Sequence, residues 1–226
     1  MKWLKEISLK RLSIILGIML LVNCANDSKN KAHARLAELP YYNEASFTPH
    51  WLSSESNEAK IFHTIPDFQL VNQLGDTITQ KTFENKIYVT DFFFASCPGI
   101  CPQMTGNMFK LQEAFIDDDE VVFLSHSVTP SLDSVPVLKN YARIHGVIAN
   151  KWHLATGDRT EIYNLGREAY FVENDLDEPK DLDDFLHTEN FILIDKDKHI
   201  RGIYNGLNRA SMMQLIEDIK TLKAEK

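Results

Sequence analysis

In the stretch DFFFASCPGICPQM, residues 91–104, an apolar run ends in Cys97 and Cys101, with three residues between them and each followed by proline. Paired thiols at close spacing support three chemistries: dithiol–disulfide exchange, metal binding, or a structural bridge. A bridge across so short a loop would constrain little of the unfolded chain, which makes the structural staple the weakest of the three. The usual exchange spacing is C-x-x-C. One more residue widens the loop and can aim two thiolates at a common ion, and soft thiolates select Cu(I) and also Zn(II). Two ligands complete few sites, so a third donor would have to come from elsewhere in the chain. The candidates are His33, His50, His63, His126, His145, His153, His187 and His199.

The thiols need a position that favours the thiolate. Proline pushes the residue before it towards extended conformations, so neither cysteine is expected inside a helix. The helix is predicted to start at Pro102, in the favoured first position. Cys97 to Cys101 is then a short loop at a helix N-terminus, where free N–H groups and the helix dipole stabilise anions.

The elements around this loop follow from periodicity. Ile87 to Phe94 is a continuous apolar, aromatic and β-branched run, as a buried central strand requires. Met104, Met108, Leu111 and Phe115 recur at helical spacing over 102–115. A strand at 121–125 and a helix at 134–145 closed by Gly146 follow, then a strand at 152–155 and a helix at 160–169. Strands at 190–195 and 200–204 flank a turn, and a helix over 209–223 closes the chain. Upstream, PDFQLVNQLGDTIT reads as a hairpin around Gly75-Asp76. This order predicts an α/β, thioredoxin-like fold with a mixed central sheet, helices on both faces and an added N-terminal hairpin. The cysteines fall at the carboxyl end of the first central strand, where open α/β sheets gather their ligand sites.

The N-terminus reads as a targeting segment. Lys2, Lys5, Lys10 and Arg11 precede an apolar run from Leu12 to Val22, whose 11 residues are too few to span a bilayer, which takes about 20. Leu21-Val22-Asn23-Cys24 resembles a bacterial lipobox, in which the chain is cut before the cysteine and its thiol carries lipid. Residues 1–23 are therefore expected to be a signal peptide, 24–39 a lipid-anchored tether, 40–65 an extension packing on the domain, and 66–226 the domain itself. Such a protein works outside the cytoplasm, on the periplasmic side of a bacterial membrane. With Cys24 assigned to lipid, Cys97 and Cys101 remain.

The formal net charge is −8; loss of residues 1–23 removes a net +3 and leaves −11. That argues against nucleic acid, whose phosphates demand a basic face. Residues 173–184 carry seven acidic groups and one base, Lys180. The default reading is a solvated loop; docking of a basic partner is the alternative.

SCPGICPQM resembles the C-P-x-x-C-P signature of the Sco/SenC copper-binding proteins. The resemblance continues through SHSVTPSLDSVPVLKNYARIHG and DFLHTENFILIDKDKHIRGIY, and runs from about Pro66 to the C-terminus. It implies a copper chaperone, holding Cu(I), or Cu(II) with a further ligand, through Cys97, Cys101 and His187. It implies as client the copper-bearing subunit of cytochrome c oxidase or another cuproprotein, with a thiol reductant as a further partner. The alternative is a thiol–disulfide oxidoreductase, or a peroxidase-like relative, with Cys97 as nucleophile and Cys101 as resolving thiol. Two departures stand out: Leu186 where the family often has aspartate before the histidine, and Thr129 in place of the aspartate of S-V-D-P, while Asp133 is kept. Taken alone, His187 would read as a surface or hydrogen-bonded histidine. His126 is expected to be structural, and Met104 and Met108 to be core rather than copper ligands.

Overall fold

The computed structural model describes residues 38–172, 186 and 188–225. In the central strand of this structure, β3 (Ile87–Phe93), every residue is buried. Side chains alternate across a strand, so Ile87, Val89 and Phe93 feed one apolar cluster and Tyr88 and Phe92 the other. Each of the two faces must then be covered by its own layer.

Seven strands make one mixed sheet: β1 (Gln69–Asn72), β2 (Thr77–Thr79), β3, β4 (Val121–Ser127), β5 (Trp152–Thr156), β6 (Asn190–Ile194) and β7 (Ile200–Asn205), in spatial order 2-1-5-4-3-6-7. β3, β4 and β5 are parallel; β6 and β7 add antiparallel strands beyond β3. The β1–β2 hairpin turns at Gly75, which has φ +89°, and joins the other edge antiparallel to β5.

One face is covered by α1 (Cys101–Ala114), α2 (Val135–His145) and α4 (Arg209–Ala224), through Met104, Met108, Leu138, Leu215 and Ile219. The other is covered by α3 (Arg159–Asn164), which continues as a π-helical turn over Leu165–Ala169. This is the expected thioredoxin-like arrangement, with helices on both faces and the added hairpin. Ser134 stands at the N-cap position of α2, and Gly146 closes the helix in the left-handed region at φ +69°. Among the described residues no helix is long and apolar enough to cross a membrane.

Three expectations need correction. β3 ends at Phe93 rather than Phe94, and β4 runs on to Ser127. The segment 160–169 is not one uniform α-helix, because its second half widens into the π turn. Cys101 is not outside the helix: α1 begins at Cys101, with Ile100 as its αR cap and Pro102 in its first turn. Cys101 is 5% exposed, so burying its side chain offsets the steric cost of a helical residue before proline.

At the far end of the sheet the segment before β1 is tied down by pairing. Tyr41 bridges to His50, and Tyr42 to Ile200 on β7. Arg201 donates to the carbonyls of Leu39 (2.7 Å) and Pro40 (3.2 Å).

Candidate functional site

Both site cysteines are free thiols, and they are not equivalent. Cys97 lies half-buried in the β3–α1 loop, its N–H donating to the Phe94 carbonyl at 3.2 Å. Gly99 N–H donates to Cys97 Sγ at 3.4 Å. Burial opposes ionisation of Cys97. Hydrogen bonds from the Cys101 thiol and from the N–H groups of Cys101, Gly99 and Ile100 outweigh it, and hold the Cys97 pKa below the ordinary thiol value. Burial pushes the Cys101 thiol up to about 12; a backbone hydrogen bond with Phe94 works against this, while Cys97 and Asp91 add to it. Cys97 is therefore the more readily ionised, half-buried thiol, and Cys101 the buried one that holds its proton.

Asp91 lies on β3, fully buried, and burial raises its carboxyl to about pH 7. It accepts a short hydrogen bond from Ser125 Oγ on β4, and that oxygen accepts Trp152 Nε1–H at 2.9 Å. Tyr141 on α2 bonds the Thr105 hydroxyl on α1 at 2.7 Å. Burial, and then the charges of Asp91, Cys101 and Cys97, push the Tyr141 hydroxyl up to about 12. Nothing in the sequence reading singled out Asp91 or Tyr141. The available signal was a carboxylate inside the otherwise uncharged run Ile87 to Phe94.

Asp133 fixes the loop that precedes Cys97. Its Oδ2 accepts from Ser127 Oγ (2.6 Å), Thr129 Oγ1 (3.0 Å) and Ala95 N–H (3.2 Å). These three hydrogen bonds show how Thr129 fits where an aspartate was expected: it donates to Asp133, and a second carboxylate would instead repel it.

His187 and Cys24 lie outside the described residues, as do the signal peptide, residues 24–37 of the tether and the acidic segment 173–184. The flanks of His187 are described. The antiparallel pairing Thr90↔Ile192 puts the first residue of β6 beside the last residues of β3, at the end from which the cysteine loop springs. Leu186 is 1% exposed and packs on Gly166 and Phe92: a Cβ at Gly166 would stand 2.5 Å from Leu186 Cδ1 and 3.1 Å from Phe92 Cε1. Leu186 thus replaces an aspartate with an apolar anchor. On the other flank, Gly206 N–H donates to the Glu189 carbonyl at 2.6 Å, and Asn107 on α1 donates to the Gly206 carbonyl at 2.7 Å.

Among the described residues no three His, Cys, Asp or Glu side chains gather to hold a metal ion. His126 is fully buried, stacked on Phe92 at 4.8 Å between ring centroids, and burial drives its pKa down to about 3. It lies with Phe92 on the sheet face opposite Cys101, as a structural residue would. Met104 and Met108 are buried in the core.

A free dithiol at the first βα turn of a thioredoxin-like sheet defines the class. The SCO1/SenC family profile matches residues 56–224, and the chain belongs to that family. A SCO1/SenC family lipoprotein from Bacillus anthracis is similar over 71% of this chain and 95% of its own, at 30% identity and a TM-score of 0.62. BsSco, described as having a disulfide switch and as a member of the Sco family of cytochrome c oxidase assembly proteins, matches at 25% identity and TM-score 0.61, over 73% of this chain and 95% of its own. Copper-bound ScoI from Bradyrhizobium japonicum matches at 25% and 0.56, over 70% and 99%.

Proposed function

We propose that this protein is a lipid-anchored, extracytoplasmic copper chaperone that holds copper through Cys97, Cys101 and His187 and supports assembly of the copper centre of cytochrome c oxidase. The observation that carries the reading is the split thiol pair at the sheet end where β6 begins. Cys97 supplies the more readily ionised thiol; Cys101 supplies a second thiolate once the metal displaces its proton; and the chain three residues before β6 supplies an imidazole. Two thiolates and one imidazole suit Cu(I), and the imidazole extends the set to Cu(II) with a further ligand. The copper is cargo, moved by ligand exchange with the client. The similarity to a copper-bound ScoI and to a cytochrome c oxidase assembly protein supports the cargo and the client. The Leu-Val-Asn-Cys motif and the likeness to a family lipoprotein support the anchor at Cys24.

Metal titration of the reduced protein tests it. About one copper per chain is expected, abolished by Cys97→Ser or Cys101→Ser and weakened by His187→Ala. Each copper must displace the Cys101 proton, so affinity should rise about tenfold per pH unit above the Cys97 pKa and more steeply below it. Affinity unchanged from pH 5 to 8, or unchanged in His187→Ala, would contradict the ligand set.

The thiol asymmetry also favours a second reading, reduction of disulfides on a partner. The more accessible, more readily ionised Cys97 attacks and the buried Cys101 resolves. Turnover of a protein disulfide that survives His187→Ala identifies that activity.

A further inference from the structure

The segment before β1 carries two large apolar side chains that the core leaves in water. Trp51 is 59% exposed and Ile61 85%. Their neighbours face inward: the His50 ring lies 5.2 Å from the Phe62 ring, and the Tyr41 ring 5.9 Å from it. Trp51 follows His50 and Ile61 precedes Phe62, so the two exposed residues hold adjoining positions on one corner of the domain. Trp51 is also one residue past the Tyr41–His50 bridge, where both backbone hydrogen bonds form at 2.8 and 2.9 Å. That register sets it across from Pro40, beside the point where the described chain begins at Glu38.

This corner lies at the end of the sheet remote from the thiols. Tyr41 packs on His199, at 5.3 Å between ring centroids, and on the guanidinium of Arg201 at 4.0 Å. Ile200, between those two, pairs with Ile194, which pairs in turn with Tyr88 near the start of β3. The cysteine loop leaves the other end of β3, a strand length of about 20 Å away.

The chemistry of the corner and the position of the chain that enters it point to the same occupant. Indole is an apolar ring with one polar N–H, the combination that settles at the headgroup level of a bilayer. Ile61 adds aliphatic surface that gains by leaving water. The exposed charges of the segment are Glu38, Glu44, Glu55, Glu58 and Lys60, so it lacks the basic cluster that anionic lipid attracts. An apolar contact with zwitterionic lipid is the match. Residues 24–37, which separate Cys24 from Glu38, reach at most about 50 Å. Tied to a bilayer at that range, the domain meets it at high effective concentration, and a weak contact is enough to hold one orientation.

We propose that this corner is a membrane-docking site, with Trp51 and Ile61 seated among the zwitterionic headgroups of the bilayer that Cys24 anchors. The domain then stands on the end of its sheet that carries the Arg201 clasp, and the thiols face away from the lipid towards partners in the surrounding space. This rests on the reading that Cys24 carries the lipid.

The full chain, processed and lipidated in a bacterial host, is reconstituted into phosphatidylcholine vesicles and floated on a density gradient. Loss of residues 1–23 removes Trp3 and leaves Trp51 and Trp152, and Trp152 is 1% exposed in the core. Phosphatidylcholine brominated near the headgroup end of its acyl chains therefore quenches Trp51 and spares Trp152. Emission is expected to shift to shorter wavelength on reconstitution and to fall in brominated vesicles relative to plain ones. Because the contact is apolar, raising the salt should leave the quenching unchanged. Trp51→Phe, an exposed substitution, should abolish it, and Ile61→Ser should reduce it. A chain that floats but emits equally in plain and brominated vesicles, or quenching that survives Trp51→Phe, overturns the docking and leaves the anchor. A chain that does not float overturns both. Protection of Trp51 from acrylamide without quenching by brominated lipid also overturns the proposal, by giving the corner to a protein surface.

Discussion

His126 shows how one buried side chain sets the acid limit of the fold. Its imidazole sits among Phe68, Phe92 and Tyr170, and burial lowers its pKa to about 3. In the unfolded chain it titrates near 6.5, so below that pH the unfolded state takes up a proton that the native state refuses. The stability at stake is fully present above about pH 6.5 and is lost as pH falls towards 3. Linkage puts that loss on the order of 3 kcal/mol, allowing for relaxation around the ring. His126→Phe should flatten the urea midpoint between pH 6 and 4 relative to the parent; an unchanged slope would remove His126 as the cause. The sequence reading placed His126 as structural because it follows a strand without matching a ligand position. Its aromatic cage could not be read there, because Phe68, Phe92 and Tyr170 come from three separate segments.

At the scale of elements, the β3–α1 turn was legible and its details were not. The strand stood out because a sheet buried on both faces leaves no polar alternation, and the helix because Met104, Met108 and Leu111 repeat at its period. The inclusion of Cys101 in α1 was hidden, because the rule for residues before proline is local whereas the burial that overrides it is tertiary. The π turn over Leu165–Ala169 was equally hidden, and it bears on the site. It places Gly166 against Leu186, the residue before His187. A methyl group there collides with Leu186 and Phe92, so Gly166→Ala should cost about 1–3 kcal/mol by overpacking. It should also weaken copper binding while leaving the reaction of Cys97 with a small disulfide unchanged. Copper affinity equal to that of the parent would show that Leu186 does not steer the segment that bears His187.

Across the whole molecule, the end of the sheet remote from the thiols is held by charge. Arg201 on β7 pairs with Asp195 (3.1 Å) and Glu225 (2.8 Å) and lies 4.0 Å from the Tyr41 ring centroid. Glu225 Oε1 accepts the Leu39 N–H at 2.6 Å. One guanidinium thus joins the segment before β1, the β6–β7 hairpin and the chain after α4. Arg201→Met would leave two carboxylates buried without their cation, at a cost of about 3–5 kcal/mol. Because this clasp and the cysteine loop lie at opposite ends of β3, copper stoichiometry should be unaffected; a variant that folds but binds no copper would couple the two ends. The overall architecture followed from element order, since alternating strands and helices leave few ways to pack. The clasp did not, since residues 39, 195, 201 and 225 share no local pattern.

The central claim is that two sulfurs from the β3–α1 turn and one nitrogen from the chain before β6 meet on a single copper ion. X-ray absorption at the copper edge of the singly loaded, reduced protein tests it most directly. Two sulfur neighbours and one imidazole nitrogen are predicted, the nitrogen vanishing in His187→Ala. A sulfur-only shell, or a spectrum identical in His187→Ala, would contradict it.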